Sequence, residues 1–371
     1  MANSQLTVVQ ILPALDSGGV ERGTIEIADA LAAAGHRSIV ISAGGRLVSE
    51  LTRSNSDHVT WPIGAKHLRT LALVRPLRQY LSKVGADIVH VRSRLPAWIT
   101  WLTWRRMNPL TRPRLVTTVH GFYSVNRYSA IMTKGERVVA VSNSIRDYIV
   151  TAYPQTDATR IRVIERGIDH EQYPFGFEAD PAWIARWRKE TGLDSKTKVL
   201  MLVGRLTRLK GHEQFIALIK RLQLDGHQVH GVIVGGEDAR RVPYAQSLYA
   251  AAADLPVSFL GHRSDVRELM SIADLVLSLS SKPESFGRTV LEALALGRPA
   301  LGYEHGGVGE ILKALYPIGK VESGNEQALF DRVRQLLLAP EPVLNSDALS
   351  LQSMQNKTLN VYSEISQAPR Y

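Results

Sequence analysis

Short apolar runs alternate with longer amphipathic stretches along the whole chain, a pattern typical of parallel βαβ units. In the first half, the apolar runs predict strands at Thr7–Leu12, Ser38–Ile41, Asp87–Val91, Leu115–His120 and Arg137–Ser142. These runs are nearly continuous, as expected for strands that are covered on both faces. A helix is expected from Thr24 to Ala34, where Gly35 ends it.

The same pattern begins again after residue 198. Before that point, polar and proline-bearing sequence at about 171–198 predicts a hinge, within 175–197, that carries a short helix around Trp183–Thr191. The strands predicted beyond it are Val199–Gly204, Val229–Gly236, Val257–Gly261, Leu275–Ser278 and Pro299–Gly302. Because 371 residues are many for one core, we expect an α/β protein with two Rossmann-like domains at residues 1–180 and 195–345. A helical segment at 346–371 is expected to follow them.

Composition narrows the class of protein. The chain has no cysteine, which excludes disulfides, thiolate catalysis and zinc–thiolate sites. Its 44% hydrophobic and 22% charged residues are typical of soluble globular proteins. No apolar run approaches the roughly 18 residues of a membrane-spanning helix, and residues 1–5 lack the basic start of a signal peptide. We therefore expect a cytoplasmic protein.

Positive charge is concentrated in the first half of the chain. Residues 1–190 contain 25 Lys and Arg against 16 Asp and Glu, whereas residues 191–371 contain 20 against 19. From Lys66 to Arg114 there are eleven basic residues and a single acidic one, Asp87. Such a bias favours an anionic partner, such as phospholipid headgroups, a phosphorylated glycolipid or nucleic acid. The alternative is a solvated basic face that has no partner.

Gly18 and Gly19 follow the first predicted strand and open a helix. Glycine lets the backbone approach a ligand closely, and the start of a helix attracts phosphate. A plain tight turn explains the pair nearly as well. The spacing does not form the G-x-G-x-x-G fingerprint of dinucleotide-binding proteins, so an NAD-dependent oxidoreductase loses its main support.

A pair of cations follows the first strand of the second half. Gly204 and Arg205 come at the end of that strand, and Lys210 comes five residues after Arg205. Open α/β sheets bind their ligands at the carboxyl ends of their strands. The two cations could hold a diphosphate and neutralise charge on a leaving group. Alternatively, they are surface residues of a loop.

A pair of glutamates, Glu284 and Glu292, is the most specific feature of the sequence. Seven residues separate them, and a helix is expected from Gly287 to Leu296. The N–H groups at the start of this helix suit phosphate oxygens. Glu292 could accept hydrogen bonds from a ribose diol, and Glu284 could accept them from sugar hydroxyls.

These segments resemble the signature of family 4 glycosyltransferases, which have the GT-B fold. The resemblance rests on Gly-Arg-Leu-x-x-x-Lys-Gly at 204–211 and on the glutamate pair at 284 and 292. It covers nearly the whole chain, because further family motifs are similar to Gly18–Glu21, His120–Gly121, Val163–Asp169 and Gly306–Glu310. Glu165-Arg166 stands where the family commonly has Pro-Asn, so the resemblance assigns no role to these two residues. Ser285 stands where a glycine is frequent.

The resemblance implies a fold and a set of donor-binding residues. In the GT-B fold, two Rossmann-like domains have parallel sheets that face each other across a cleft, and a C-terminal helix crosses back to the N-domain. A nucleotide-sugar donor binds between the domains. The donor-binding positions implied here are Gly18, Gly19, Gly204, Arg205, Lys210, Glu284, Phe286, Gly287, Arg288 and Glu292.

The resemblance also implies a mechanism, in which a hexose-type sugar leaves a nucleoside diphosphate with retention of anomeric configuration. A UDP-sugar is the favoured donor. His120, Arg205, Lys210 and Glu284 form the implied catalytic set, with His120 facing the transferred sugar. Arg205 and Lys210 would stabilise the departing diphosphate in place of a metal ion, so no metal or other cofactor is expected. The sequence has no Asp-x-Asp triplet.

The acceptor is expected on the basic first domain. Tryptophans recur at helical spacing at positions 98, 101 and 104, and four arginines flank them. The acceptor and membrane contacts expected from this cluster are Arg92, Arg94, Trp98, Trp101, Arg105 and Arg106. The cluster could rest peripherally on the inner face of the cytoplasmic membrane, or the tryptophans could pack inward.

The same region and residues 120–128 resemble bacterial envelope members of the family. This resemblance favours the lipopolysaccharide core as the acceptor. Another lipid-linked glycan or an exopolysaccharide is the alternative.

Two rival classes fit part of the sequence. A basic nucleic-acid-binding α/β protein explains the charge, but no recognised nucleic-acid module is present, and we expect no nucleic-acid partner. A catalytically silent scaffold of the same fold would need damaged motifs, whereas both cations and both glutamates are present. Thermal stabilisation by nucleoside diphosphates, NAD or DNA would separate these classes.

Overall fold

The computed structural model describes residues 5–16, 18–237 and 241–369. The chain forms two compact α/β units, of which the first comprises residues 1–167 and 351–371 and the second comprises residues 168–350. The expectation drawn from residues 1–5 concerns mainly residues 1–4, which lie outside the described residues. No described helix is both long and apolar enough to cross a membrane.

The first unit is built on a parallel sheet of seven strands. Its elements in chain order are β1 (Thr7–Ile11), α1 (Gly19–Ala33), β2 (Arg37–Ser42), α2 (Val48–Arg53), β3 (Asp57–Thr60), α3 (Val74–Lys83), β4 (Ile88–Val91), α4 (Arg94–Trp104), β5 (Arg114–Val119), β6 (Arg137–Ala140), α5 (Asn143–Ala152) and β7 (Ile161–Val163). Short 3-10 segments lie at Leu68–Leu73, Ser129–Thr133 and Ala158–Arg160. The strand order is β3-β2-β1-β4-β5-β6-β7, so the order reverses between β1 and β4.

The second unit repeats this plan with six parallel strands. Its elements are α6 (Pro181–Thr191), β8 (Lys198–Val203), α7 (His212–Leu224), β9 (Val229–Val234), α8 (Val242–Ala252), β10 (Val257–Phe259), α9 (Val266–Ser271), β11 (Leu275–Ser278), α10 (Arg288–Ala295), β12 (Ala300–Tyr303), α11 (Gly306–Leu315), β13 (Lys320–Val321) and α12 (Glu326–Leu338). Short 3-10 segments lie at Arg208–Lys210 and Pro317–Gly319. The order β10-β9-β8-β11-β12-β13 reverses between β8 and β11.

The last helix, α13 (Leu351–Gln367), belongs to the first unit. Its buried face, including Val361, Tyr362 and Ile365, packs with residues of β1 and α1 such as Val8. Tyr362 Oη also lies 2.6 Å from Nδ1 of the buried His90. Each fully buried aliphatic side chain contributes roughly 1.5–3 kcal/mol, so this apolar face holds the helix against the first sheet.

The ten strands predicted from apolar runs are all present, and the expected α/β class is confirmed. Three strands were missed, namely β3, β7 and β13. All three are short strands at the edges of their sheets, and three of the four residues of β3, Asp-His-Val-Thr, are polar. Helix α1 begins at Gly19, earlier than the predicted start at Thr24. Its first turn was missed because it carries Glu21 and Arg22 and shows no apolar periodicity.

The boundary between the units falls between Gly167 and Ile168, earlier than the hinge expected within 175–197. The reason is the packing of Ile168, which is 1% exposed and belongs to the core of the second unit. Its backbone N–H donates to Leu349 O at 2.9 Å, and it forms a β-bridge with Ser350. Residues 168–180 therefore belong to the second unit.

Candidate functional site

In the second unit, the loops after β8 and β11 meet where the strand order reverses. Lys210 Nζ, from the loop after β8, lies 2.8 Å from Glu284 Oε1, from the loop after β11. The two side chains are 27% and 18% exposed. Ser280 Oγ donates to the same carboxylate oxygen. Ligands of open α/β sheets bind in the crevice beyond the strand ends at such a reversal, so this ion pair marks the candidate site.

Backbone contacts hold these two loops together. Gly211 has a φ of 76°, and a Cβ on it would collide with the carbonyl group of Leu279. Ser281 N donates to Leu209 O at 2.9 Å. The stem of Lys210 lies over Gly204, since a Cβ on Gly204 would be 3.1 Å from Lys210 Cδ. Glycine at position 211 is thus required for the close approach that positions Lys210.

The Glu284 carboxylate is held in its ionised form. Burial acts to raise its pKa, but the ammonium group of Lys210 and hydrogen bonds from Lys210 and Ser280 outweigh burial, so the pKa of Glu284 is lowered from its ordinary value. His305 adds to this effect. Glu284 is therefore an acceptor of hydrogen bonds at neutral pH.

Two helices begin beside Glu284. Helix α10 has Gly287 as its N-cap, directly after the buried Phe286. Gly307, in the first turn of α11, donates its N–H to Glu284 O at 2.8 Å. That N–H group of α11 is therefore already bonded, so the N–H groups at the start of α10 are the ones suited to bind phosphate oxygens.

The remaining predicted donor-binding residues of this unit lie close to these elements in the chain. Arg288 Nε lies 3.1 Å from Glu292 Oε1 on α10, and the Glu292 side chain is 12% exposed. Arg205 directly follows the strand end at Val203–Gly204 and is exposed. Within the described part of the chain, no ion pair or hydrogen bond engages its guanidinium group.

In the first unit, Gly18 and Gly19 open α1, as the sequence predicted. Gly18 is the N-cap residue and has a φ of 140°, and a Cβ on it would be 2.7 Å from Glu21 Oε2. A Cβ on Gly19 would meet open space.

His120 follows the end of β5, where its ring meets Arg166. Arg166 Nη2 lies 2.7 Å from His120 Nδ1. Nε2 of the same ring is shielded from solvent and has no hydrogen-bond partner among the described residues. Burial, followed by the positive charges of Arg166 and Arg92, holds the pKa of His120 well below its ordinary value. The ring is therefore neutral at physiological pH.

Arg92 does not lie at the surface, contrary to the expectation that it contacts a membrane or acceptor. It is 3% exposed. Its Nε and Nη2 atoms donate to Gln10 Oε1 at 3.0 and 2.6 Å. These hydrogen bonds link the residue after β4 to β1, where the strand order reverses.

The tryptophans of α4 are packed against the core of the first unit. Trp98 Nε1 donates to Tyr128 O at 2.9 Å, and Trp104 Nε1 donates to Pro113 O at 2.8 Å. The Trp98 and Trp101 rings meet edge to face at 5.6 Å. Of the two interpretations left open by the sequence, inward packing is therefore correct.

The arginines that flank these tryptophans contact an aromatic ring or the backbone of α4. Arg105 lies over the Trp101 ring, with its Cζ 4.7 Å from the ring centroid. Arg94 lies 4.9 Å from the Tyr123 ring and 5.5 Å from the Tyr128 ring. Arg106 donates to Leu102 O at 2.9 Å and is exposed. Of these residues, Arg105 and Arg106 remain at the surface.

Sequence reasoning missed two residues beside Glu284. One is Ser280, described above, and the other is His305, whose Nε2 lies 3.1 Å from Ser280 O. Each comes two residues after the last residue of a strand, Ser278 of β11 and Tyr303 of β12. That position was the only available signal. In the part of the chain that the structure describes, no three His, Asp or Glu side chains gather as a metal site would require.

Both units match models of glycosyltransferase families. The model described as Glycosyltransferase Family 4 matches residues 17–172, and the model described as Glycosyl transferases group 1 matches residues 184–347. The first match includes the pair His120 and Arg166, and the second includes the candidate site at Lys210 and Glu284. The chain therefore belongs to the family 4 glycosyltransferases and is a transferase enzyme with the GT-B fold.

Solved structures agree with this assignment. The chain is 29% identical to a glycosyltransferase from Rickettsia africae, with a TM-score of 0.85 over 99% of this chain and 100% of that one. It is 21% identical to HepE of Anabaena in complex with UDP and glucose, with a TM-score of 0.81 over 97% and 100%. It is 19% identical to WaaG, a glycosyltransferase involved in lipopolysaccharide biosynthesis, with a TM-score of 0.68 over 98% and 100%. The last two likenesses show the fold alone.

Proposed function

We propose that this enzyme transfers a hexose-type sugar, with retention of configuration, from a nucleoside diphosphate to an envelope glycan, the lipopolysaccharide core. The observation that carries the proposal is the contact between Lys210 and Glu284 at the reversal of the second sheet. It brings a cation suited to phosphate and a carboxylate suited to sugar hydroxyls into one crevice.

The donor diphosphate is proposed to bind at the start of α10. Phe286, Gly287 and Arg288 offer backbone at that helix start. The guanidinium of Arg205, which has no partner among the described residues, and the ammonium of Lys210 would supply positive charge. These two cations would neutralise the leaving diphosphate, which is the work of a divalent metal in other enzymes. Transfer is accordingly proposed to need no metal ion.

The nucleoside and the sugar would be held by the two glutamates. Glu292 lies within α10 and accepts hydrogen bonds from the ribose hydroxyls in this proposal. Glu284 and His120 would contact the transferred sugar. A UDP-sugar is the donor to test first, because HepE, a protein of the same fold, has been solved with UDP and glucose.

The proposed transfer balances without a further reactant. The bond between the anomeric carbon and the diphosphate oxygen breaks, and the nucleoside diphosphate leaves with the electron pair. The acceptor hydroxyl oxygen forms the new bond on the same face of the sugar, and its proton passes to the leaving phosphate. The protein's part is to orient the reactants and to stabilise charge.

Nucleotide-dependent thermal stabilisation tests the proposed class. UDP, GDP, ADP, NAD and a DNA duplex are each added to the protein with EDTA, and the melting temperature is measured. We expect one nucleoside diphosphate, UDP first, to raise the melting temperature, since a ligand at 100 times its Kd stabilises by about 2.7 kcal/mol. NAD and DNA should not. Stabilisation by DNA alone, with strong salt dependence, would instead establish the nucleic-acid-binding alternative.

The proposals for the acceptor and for the location of the enzyme rest on the charge of the first unit. Its basic bias suits a phosphorylated glycolipid, and WaaG, of the same fold, acts in lipopolysaccharide biosynthesis. Another lipid-linked glycan or an exopolysaccharide is the alternative acceptor. Mass spectrometry of the envelope glycan from a strain that lacks the protein would identify the sugar that goes missing.

We place the membrane contact on a surface other than the tryptophans. The basic–leucine face consists of Leu68, Leu71, Arg75, Arg78 and Arg106. Leu68 and Leu71 are 86% and 51% exposed, and they lie three residues apart in a 3-10 segment, which puts them on one side. A shallow groove joins Leu71 to the three arginines. Exposed leucines among arginines suit the headgroup region of an anionic membrane.

Reversing two charges on the basic–leucine face should weaken membrane binding. For Arg75→Glu with Arg78→Glu, we expect cosedimentation with phosphatidylglycerol vesicles to fall at least about tenfold, because each basic residue near an anionic surface contributes about 1 kcal/mol. Arg186→Glu with Lys189→Glu, on α6, makes the same change in net charge elsewhere. Equal losses of vesicle binding in both double variants would refute a specific membrane contact through the basic–leucine face. Binding to phosphatidylcholine vesicles should be weak throughout.

A further inference from the structure

The bond between Arg166 and His120 determines where the histidine carries its proton. Arg166 Nη2 lies 2.7 Å from His120 Nδ1. A guanidinium group has five N–H donors and no acceptor, and it stays protonated in proteins. Nδ1 must therefore accept this hydrogen bond. Because a neutral imidazole carries one proton, that proton is on Nε2.

The Nε2–H group is left for a ligand. Nε2 is shielded from solvent and has no hydrogen-bond partner among the described residues. A buried donor without a partner costs about 1–3 kcal/mol. A hydroxyl oxygen placed at this atom would recover that free energy.

We propose that Arg166 is a positioning residue, which fixes His120 as a neutral donor through Nε2–H and prevents it from acting as a base at that atom. The identity of the accepting atom, a hydroxyl oxygen of the transferred sugar, rests on the proposed function. The tautomer itself does not. Position 166 is where the sequence departs from the usual Pro-Asn of the family, so the resemblance assigned no role to this arginine.

The groups around His120 favour the neutral ring. Arg166 follows β7 and Arg92 follows β4, and after burial itself their positive charges are the main causes that lower the pKa of His120. His90, on β4, has the smallest effect and acts in the same direction only when its ring is charged. Tyr123 Oη accepts the backbone N–H of His120 at 3.2 Å. Since both charged groups are cationic, a second proton on the ring is disfavoured down to a pH well below its ordinary titration range.

Gly23 makes room for the arginine. A Cβ on Gly23 would collide with the guanidinium group of Arg166. Gly23 lies inside α1 and has no positive φ. Alanine therefore suits its backbone and raises helix propensity by about 0.8–1 kcal/mol. Gly23→Ala should displace the arginine without a backbone penalty.

The tautomer is measured by 15N NMR of the histidine side chains as a function of pH, with no added ligand. The His120 signals are assigned by their absence from His120→Gln. The variants are Arg166→Gln, whose amide can donate or accept, Arg166→Lys, which can only donate, and Gly23→Ala. All eleven histidines are present in each of these three variants, so the other ten serve as internal controls.

The wild-type ring should be Nε2-protonated and should show no titration between pH 5.5 and pH 8. In Arg166→Gln and in Gly23→Ala, the titration midpoint should rise by about one pH unit or more, and the Nδ1-protonated tautomer should appear. Arg166→Lys should restore the wild-type tautomer. An Nδ1-protonated ring in the wild type, or an unchanged ring in both Arg166→Gln and Gly23→Ala, would overturn the inference.

Turnover separates this inference from the proposed function. With a nucleotide sugar as donor, Arg166→Gln should lower kcat roughly tenfold and leave the KM for the donor nearly unchanged. At pH values below the new titration midpoint of His120, the turnover of this variant should fall further, because an imidazolium would oppose an oxocarbenium-like transition state. A flat profile like that of the wild type contradicts the inference. Absence of transfer with every sugar nucleotide would refute the proposed function and leave the NMR result standing.

Discussion

Replacing Lys210 by alanine is expected to lower kcat for the nucleotide sugar by about 10²–10³-fold, or about 2.7–4 kcal/mol of transition-state stabilisation. In the proposed mechanism, Lys210 lies where the leaving diphosphate gains charge, and its Nζ is held 2.8 Å from Glu284 Oε1. Charge that builds up in the transition state interacts with the ammonium more strongly than the bound donor does. The Kd for the donor should therefore change less than kcat. The measurement is release of the nucleoside diphosphate at saturating donor.

Lys282→Ala is the matched control for this prediction. Lys282 is exposed, lies two residues before Glu284 and makes no ion pair with the described residues. Its loss should leave kcat within about twofold of the wild type, since isolated surface charges contribute little. If Lys210→Ala turned over donor as fast as Lys282→Ala, the proposed leaving-group role would have to be abandoned.

Replacing Glu292 by alanine should weaken nucleotide binding. A hydrogen bond to a charged group contributes about 1.5–3 kcal/mol, which corresponds to a rise of about 10- to 150-fold in the Kd for UDP. Isothermal titration calorimetry measures it. The melting temperature of the variant without ligand checks its folding, because the substitution also removes the i,i+4 ion pair with Arg288.

Inorganic pyrophosphate distinguishes a ribose contact from a general loss of the site. It has no ribose, so its affinity should be the same in Glu292→Ala and in the wild type. Glu326→Ala, an exposed glutamate in the first turn of α12, serves as the control for loss of one negative charge. Equal weakening of UDP and pyrophosphate in Glu292→Ala would show that Glu292 supports the phosphate site and does not hold the ribose.

Much of the fold could be predicted from local sequence because long, buried parallel strands are nearly continuous apolar runs. Such a run carries its signal within a few residues. The strands that were missed, such as β3 and the two-residue β13, are short edge strands whose pairing depends on a neighbouring strand. The unit boundary was also misplaced, since the side to which Ile168 belongs is decided by its pairing with Ser350, 182 positions away in the chain.

The candidate site shows the same division. Arg205, Lys210, Glu284 and Glu292 were predicted as site residues because each stands in a short motif beside a strand end or a helix start. Ser280 and His305 were not found, because a serine and a histidine in a loop have no distinctive local pattern. The tryptophans of α4 had two equal interpretations, since their spacing marks a helical face without saying what that face meets.

By itself, the sequence determined the α/β class, the two repeated halves and the motifs that place this chain among the glycosyltransferases. These are local properties, because they depend only on apolar runs and on segments of fewer than a dozen residues. Only the tertiary structure decided that Arg92 is buried against Gln10, that the tryptophans pack inward, and that Arg166 donates to a histidine 46 residues away. Such contacts depend on which strands become neighbours in the sheet, because neighbouring parallel strands bring together residues at their ends that are far apart in the sequence.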